Sequence, residues 1–212
     1  TGVQTCALPI SMAALESGLG VVIDKPFATT AAQAREVIAA ARKAKRFLCA
    51  YHNRRWDSEF LKVKRLLAAG ALGKVLRFES RLDRWRPESK GGWRELGAPE
   101  EAGGLLFDLG PHLIDQALHL FGPVTHVYAE VDRRRANIEV DDDVFIALTH
   151  ASGVRSHLSA TLMAAQPAAR MRVLGTRAAY VKQQPDDQEA ALRAGRRPDE
   201  PNWGEEIGRA HV

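Results

Sequence analysis

The chain has 212 residues, with 30 lysines and arginines against 26 aspartates and glutamates, a net charge of +4 at pH 7. So small an excess does not make the basic track that a nucleic-acid backbone requires, and the clusters Arg133-Arg134-Arg135 and Arg196-Arg197 read as solvated turns. No apolar run approaches the ~18 residues of a membrane span, and two cysteines exclude a disulfide framework.

Thr1–Ile10 and Ile207–Val212 are set apart as translated sequencing adapter. One DNA that encodes IGRAHV has a reverse complement encoding TCALP and the start of an isoleucine codon, which reproduces residues 5–10. On that reading Cys6 drops out. Cys49, inside the apolar run FLCAY, is then a single buried thiol suited to a reducing cytoplasm.

Residues 11–18 read as a helix, with Gly18 and Gly20 as stops before the strand Val21–Ile23. That strand ends abruptly on Asp24-Lys25-Pro26. A solvated charge pair is one reading; the other places Lys25 at the carboxyl edge of a parallel strand, where open α/β sheets hold ligands. Thr29 or Thr30 caps a helix to about Lys45, with Ala34, Val37, Ile38 and Ala41 at three- and four-residue spacing. Arg46–Tyr51 is a strand, and Asp57 caps a further helix through Ala69, ended by Gly70. This order predicts the C-terminal part of a Rossmann-type parallel sheet over residues 11–52.

Beyond Gly73 the pattern changes. Lys74–Leu82, Val124–Asp132, Val144–His150, Arg155–Leu162, Ala169–Gly175 and Ala178–Lys182 read as strands, several alternating, with Ala151-Ser152-Gly153 as a hairpin turn. One strong helix interrupts them within residues 103–121, and Gln183–Pro201 reads as a loop or an exposed helix-and-turn excursion. The prediction for residues 53–206 is an open-faced, mostly antiparallel sheet with a buried helix, an α+β substrate and oligomerisation domain. The fold class is α/β followed by α+β.

The segment GGLLFDLGPHLIDQALHLFG is apolar nearly all round, as a buried helix is. Asp108, His112, Asp115 and His119 nevertheless fall at offsets that place them on one narrow helical face. Such groups are costly there unless paired or used. They could cap the helix and bond to neighbouring strands. They could share a metal ion, the arrangement of a metal-dependent hydrolase using Asp108, His112 and His119. Or Asp108 could orient and polarise His112 for proton transfer at neutral pH. Pro111 requires the helix either to begin near Asp108 or to kink.

Taken together, Ile23-Asp24-Lys25-Pro26-Phe27, Asn53-Arg54-Arg55-Trp56, Gly70-Ala71-Leu72-Gly73-Lys74-Val75 and Ala102-Gly103-Gly104 followed by Asp108, His112 and Asp115 resemble the glucose–fructose oxidoreductase / inositol dehydrogenase / MocA family. The loop EAALRAGRRPDEPNWG and the run KGGWRE look most like its NADP-dependent scyllo-inositol dehydrogenases. The resemblance, which covers residues 11–206, implies an NAD(P)-dependent oxidoreductase acting on the CH–OH group of a sugar or inositol-like polyol, with NADP favoured over NAD. It implies catalytic roles for Lys25, Asp108 and His112. It implies cofactor contacts from Asp24, Lys25, Pro26 (cis in many such enzymes), Asn53 and Trp203, and substrate contacts from Arg54, Trp93 and Asp115, with no metal. It further implies a homo-oligomer formed through the open sheet. A non-catalytic sugar-binding relative is the remaining alternative.

Two departures stand out. Asp24 replaces the family's glutamate, and Ala102 replaces the first glycine of a triplet, a change expected to be tolerated. No G-x-G-x-x-G follows a strand; Gly18-Leu19-Gly20 precedes one. The expectation is a fragment truncated at both ends, with little or no turnover by this chain alone.

Overall fold

The computed structural model describes residues 8–89, 91, 92, 95, 97, 101–201, 203, 204 and 209–211. Helix α1 spans Leu8–Glu16, strand β1 Val21–Asp24, helix α2 Ala31–Ala44 and strand β2 Leu48–Tyr51. The α1 helix therefore begins inside the stretch set apart as adapter, and Leu8 packs against the first core. That core consists of Leu15, Ile23, Val37 and Ala41, and Val37 and Ala41 lie one helical turn apart, as the spacing requires. Thr30 and Gln33 form a reciprocal capping box that opens α2, and Lys45 closes it in the left-handed conformation.

Strands β1 and β2 pair in parallel, from Val21 opposite Leu48 to Asp24 opposite Tyr51. Both chains therefore leave the sheet along one edge, which delivers Lys25 and His52 side by side. Cys49, expected to be buried, is only partly so; it lies on β2, away from the Leu15 core.

A short 3-10 turn, Asn53–Trp56, follows, then helix α3, Ser58–Ala68. Asp57 occupies the N-cap position but makes no capping bond. Its carboxylate takes Arg54 Nη1 at 3.2 Å, and Asp186 Oδ2 accepts the Ser58 N–H at 2.6 Å in its place. A cap supplied from 128 residues away has no local signature.

The remaining elements are β3 (Val75–Asp83), α4 (Leu105–Phe121), β4 (Val124–Asp132), β5 (Asp143–His150), β6 (Arg155–Thr161), β7 (Met171–Gly175), β8 (Ala179–Lys182), α5 (Gln188–Arg193) and β9 (Arg209–His211). Seven strands form one sheet in the order β4-β5-β6-β3-β7-β8-β9. Every pair is antiparallel except β3 with β6. The β9 strand also lies in a segment set apart as adapter.

Helix α4 lays Leu105, Leu109, Leu113, Ala117 and Phe121 over this sheet, against Phe78, Leu158 and Val173 among others. The architecture is α/β followed by α+β. Strand β5 alternates buried and half-buried residues throughout, the period-two signal of a sheet covered on one face. Strand β4 departs from that pattern. It is the sheet's edge, and Val127, Tyr128 and Val131 are exposed. No helix among the described residues is long and apolar enough to cross a membrane.

Candidate active site

The site assembles where the β1–β2 edge meets α4. The Lys25–Pro26 peptide bond is cis. The Lys25 ammonium reaches the Asp108 carboxylate, with Nζ 2.9 Å from Oδ1, and also donates to the Asp108 backbone carbonyl. The Lys25 and Asp108 side chains are 14% and 22% exposed, so each holds the other with only partial access to water. One turn along α4, His112 is buried at 5% exposure. Its pKa falls to about 3, first because burial disfavours the cation, then through the positive charges of Lys25 and Arg54. The ring is a neutral imidazole, and its buried Nδ1 makes no hydrogen bond among the described residues.

Spacing offers Asp108 to His112 as one of three readings; the carboxylate oxygen Oδ1 is engaged by Lys25, and the Asp108 charge also acts on His112, as the last of five contributions.

Asp115, which the resemblance offers to substrate hydroxyls, is paired within the chain. Both its oxygens are taken by Arg55, at 2.8 and 2.6 Å, and His52 Nδ1 stands 3.9 Å away. His119 lies over the Phe60 ring at 5.6 Å between centroids. With Asp108 on Lys25 and His119 on Phe60, the stripe that could have shared a metal is dispersed over three partners. Among the described residues, no group of three metal-ligating side chains converges.

The other residues implied by resemblance are spread around this centre. Arg54 is held by Asp57, and its carbonyl accepts Gln116 Nε2 at 2.9 Å, which fixes the 3-10 turn to α4. Asn53 is exposed on that turn, in the lining of a cavity with Trp56 and Gln188. Asp24 is exposed, and its Oδ1 accepts the Lys25 N–H at 2.9 Å. Trp203 gives its indole N–H to Gln188 Oε1 at 2.9 Å, with Arg196 over its ring, so its polar edge serves α5. Trp93 lies outside the described residues.

Two site residues escape a reading of the sequence. His52 sits edge-on to His112, with ring centroids 6.5 Å apart, and its Nδ1 is buried without a hydrogen bond among the described residues. The signal was available: His52 follows β2 as Lys25 follows β1. Arg84, just past β3, lines cavities on both sides of it, one of them beside Asp108.

The start of α4 explains the glycines. Asp141 caps the helix from outside, its carbonyl accepting Leu105 N–H at 2.9 Å and its Oδ2 accepting Leu106 N–H at 2.6 Å. The helix therefore begins at Leu105, a turn ahead of Asp108, with Pro111 inside it. Gly104 has φ +95°, and a methyl there would meet Asp141 Oδ1 at 2.1 Å. Gly104→Ala should cost about 2–4 kcal/mol through strained φ and a displaced cap, read as a lower urea midpoint. Ala102 takes the left-handed conformation, φ +59°, that a glycine would adopt without strain.

The nicotinamide-type cofactor implied by the resemblance fits what this edge offers. A lysine and two histidines with orphaned buried nitrogens face one another where a parallel pair ends.

Comparison with known proteins follows the same division. Residues 7–52 match the family model described as the oxidoreductase family, NAD-binding Rossmann fold, and residues 60–181 match the GFO/IDH/MocA C-terminal domain. The chain is 44% identical over 196 residues to the uncharacterized oxidoreductase YdgJ of Escherichia coli (strain K12), covering 92% of the chain and 56% of that protein. It is 36% identical over 197 residues to scyllo-inositol 2-dehydrogenase (NADP(+)) IolW of Bacillus subtilis (strain 168), covering 93% and 54%. The solved structure of yvaA from Bacillus subtilis superposes with a TM-score of 0.88 at 33% identity, over 99% of this chain and 60% of that one. The chain thus spans about half the length of the curated relatives it matches.

Proposed function

The chain belongs to the GFO/IDH/MocA oxidoreductase family, and from that premise we propose that the intact protein oxidises a CH–OH group of a sugar or inositol-like polyol with NAD(P). When bound, the cofactor supplies the hydride acceptor. NADP is favoured over NAD on the likeness to IolW, which is named for it. The observation that carries the reading is the junction of Lys25 and Asp108 beside a buried, neutral His112.

In this reading the Lys25 ammonium, aimed by Asp108, bonds the carbinol oxygen and stabilises negative charge as the hydroxyl proton leaves. His112 receives that proton at Nδ1, its lone pair being free in the neutral ring. His52, beside it, leads onward to Asp115 and the exposed Arg55. Asn53 and Asp24, on the edge where both strands end, contact the cofactor, and Pro26 shapes the turn that presents Lys25. Trp203 serves the cofactor and Trp93 the substrate, as the resemblance implies, and Arg54 meets substrate hydroxyls. Residues 11–52 form the dinucleotide-binding part and residues 53–206 the substrate part. The exposed apolar residues of β4 support a homo-oligomer formed through the sheet.

The test is polyol-dependent reduction of NAD or NADP by the intact protein, with a substrate deuterated at the carbinol carbon. Turnover that slows on deuteration is expected. Polyol binding without cofactor reduction would favour the non-catalytic relative instead.

A further inference from the structure

We propose that the substrate carries an anionic group, a carboxylate or a phosphate, held by Arg84 in a cavity that shares this arginine with a second space lined by Asp108. The inference rests on the dehydrogenase reading and narrows its substrate class from neutral polyols to acidic ones.

The cavity measures about 210 Å³ and presents four arginines, Arg54, Arg81, Arg84 and Arg170, against one carboxyl, Asp83. Three of the arginines have acids of their own: Arg54 with Asp57 at 3.2 Å, Arg81 with Glu79 at 3.3 Å and Arg170 with Glu59 at 3.3 Å. Arg84 differs. Among the described residues its guanidinium forms neither a hydrogen bond nor an ion pair; only its backbone N–H is engaged, by Thr161 O at 2.8 Å. Asp83 does not compensate it, since the cations that act on that carboxyl are Arg81 and Arg170. Burial, then the charge of Arg86, pushes the Arg84 pKa down. Arg86 and Arg54 repel this half-buried guanidinium, and Asp108 and Glu189 attract it without an ion pair to either, so an arriving anion that bonds it directly removes a standing cost.

Position ties the cavity to the chemistry. Arg84 is also in the wall of a second space of about 70 Å³ whose lining includes Asp108. A polyol with its reacting carbinol at Lys25 can therefore direct a charged substituent past Arg84. The planar guanidinium, with five donors in a fork, suits the paired oxygens of a carboxylate or phosphate.

The experiment compares kcat/KM of the intact protein for neutral inositols and sugars with that for their aldonates or uronates and their monophosphates, in wild type, Arg84→Met and Arg84→Lys. At least one acidic series should exceed its neutral parent about tenfold or more, and which series does so distinguishes carboxylate from phosphate. Arg84→Met should cut that acid-to-neutral ratio by about 10- to 150-fold, the range of one charged hydrogen bond. Arg84→Lys should restore part of it. Neutral polyols turned over as well as acids, with a ratio unmoved in both variants, overturns the inference and leaves the dehydrogenase reading intact. Failure to oxidise any polyol, charged or neutral, overturns both.

Discussion

Arg170→Met should lower the unfolding free energy by about 3–5 kcal/mol above neutral pH, because it strips a buried glutamate of its counter-charge. Glu59 is fully buried on the first turn of α3, and Arg170 is 3% exposed just before β7. Arg170 Nε stands 3.3 Å from Glu59 Oε1 at an angle that makes no hydrogen bond, while Nη1 donates to Ser80 Oγ at 2.6 Å. The pair is close in charge but poorly bonded. Burial therefore outweighs the attraction of Arg170 and raises the Glu59 pKa to about 7.

The pH dependence has a definite sign. Protonated Glu59 contributes stability that is complete below its unfolded pKa and is lost as pH rises through about 7. Without Arg170 the folded pKa climbs further, since the attraction that lowered it is gone. Up to about pH 7 both proteins hold Glu59 protonated. Above it wild type ionises and the variant does not, and the gap widens by about 1.4 kcal/mol per pH unit. Urea unfolding at about pH 6 and about pH 8.5 reads the difference. A deficit equal at both values contradicts the account, and adding Glu59→Gln to Arg170→Met should remove the widening.

That pair also shows where legibility ends. The helices and strands follow from periodicity: α4 repeats its leucines every four residues, and β5 alternates throughout. These signals sit within a dozen residues, and each is enforced by burial on one face. Even the stripe of Asp108, His112, Asp115 and His119 is local, and it faces the β1–β2 edge, the 3-10 turn and α3. What the stripe meets is not local. Asp108 finds Lys25 from 83 residues away, and Asp115 finds Arg55 from 60. The Asp57 cap fails because Asp186, 128 residues from Ser58, reaches that amide instead. Partner choice depends on the sheet order, in which β3 lies between β6 and β7 with nothing in its own residues to require it. Arg84 is the sharpest case, since in sequence it is one arginine among many and only its unpaired state in a shared wall sets it apart.

Lys25→Met should lower kcat/KM for polyol oxidation by about 10³-fold in the intact protein, within the range for losing one donor that stabilises a developing oxyanion. It should also change His112 in a way measurable without turnover. The His112 pKa of about 3 has burial as its first cause and the Lys25 charge as its second. Removing that charge moves the pKa upward but leaves it below 6.5, because the larger cause remains. NMR titration of the imidazole carbon signals follows this directly, with His112→Asn to assign them. Stability gives a second reading. The unfolded chain binds a proton at His112 below about pH 6.5 that the folded chain refuses until about pH 3, so acidification through that window destabilises wild type. In Lys25→Met the window narrows from its lower end. If His112 titrates identically with and without Lys25, the two groups do not share a cavity, and the proton chemistry assigned to them has no physical basis.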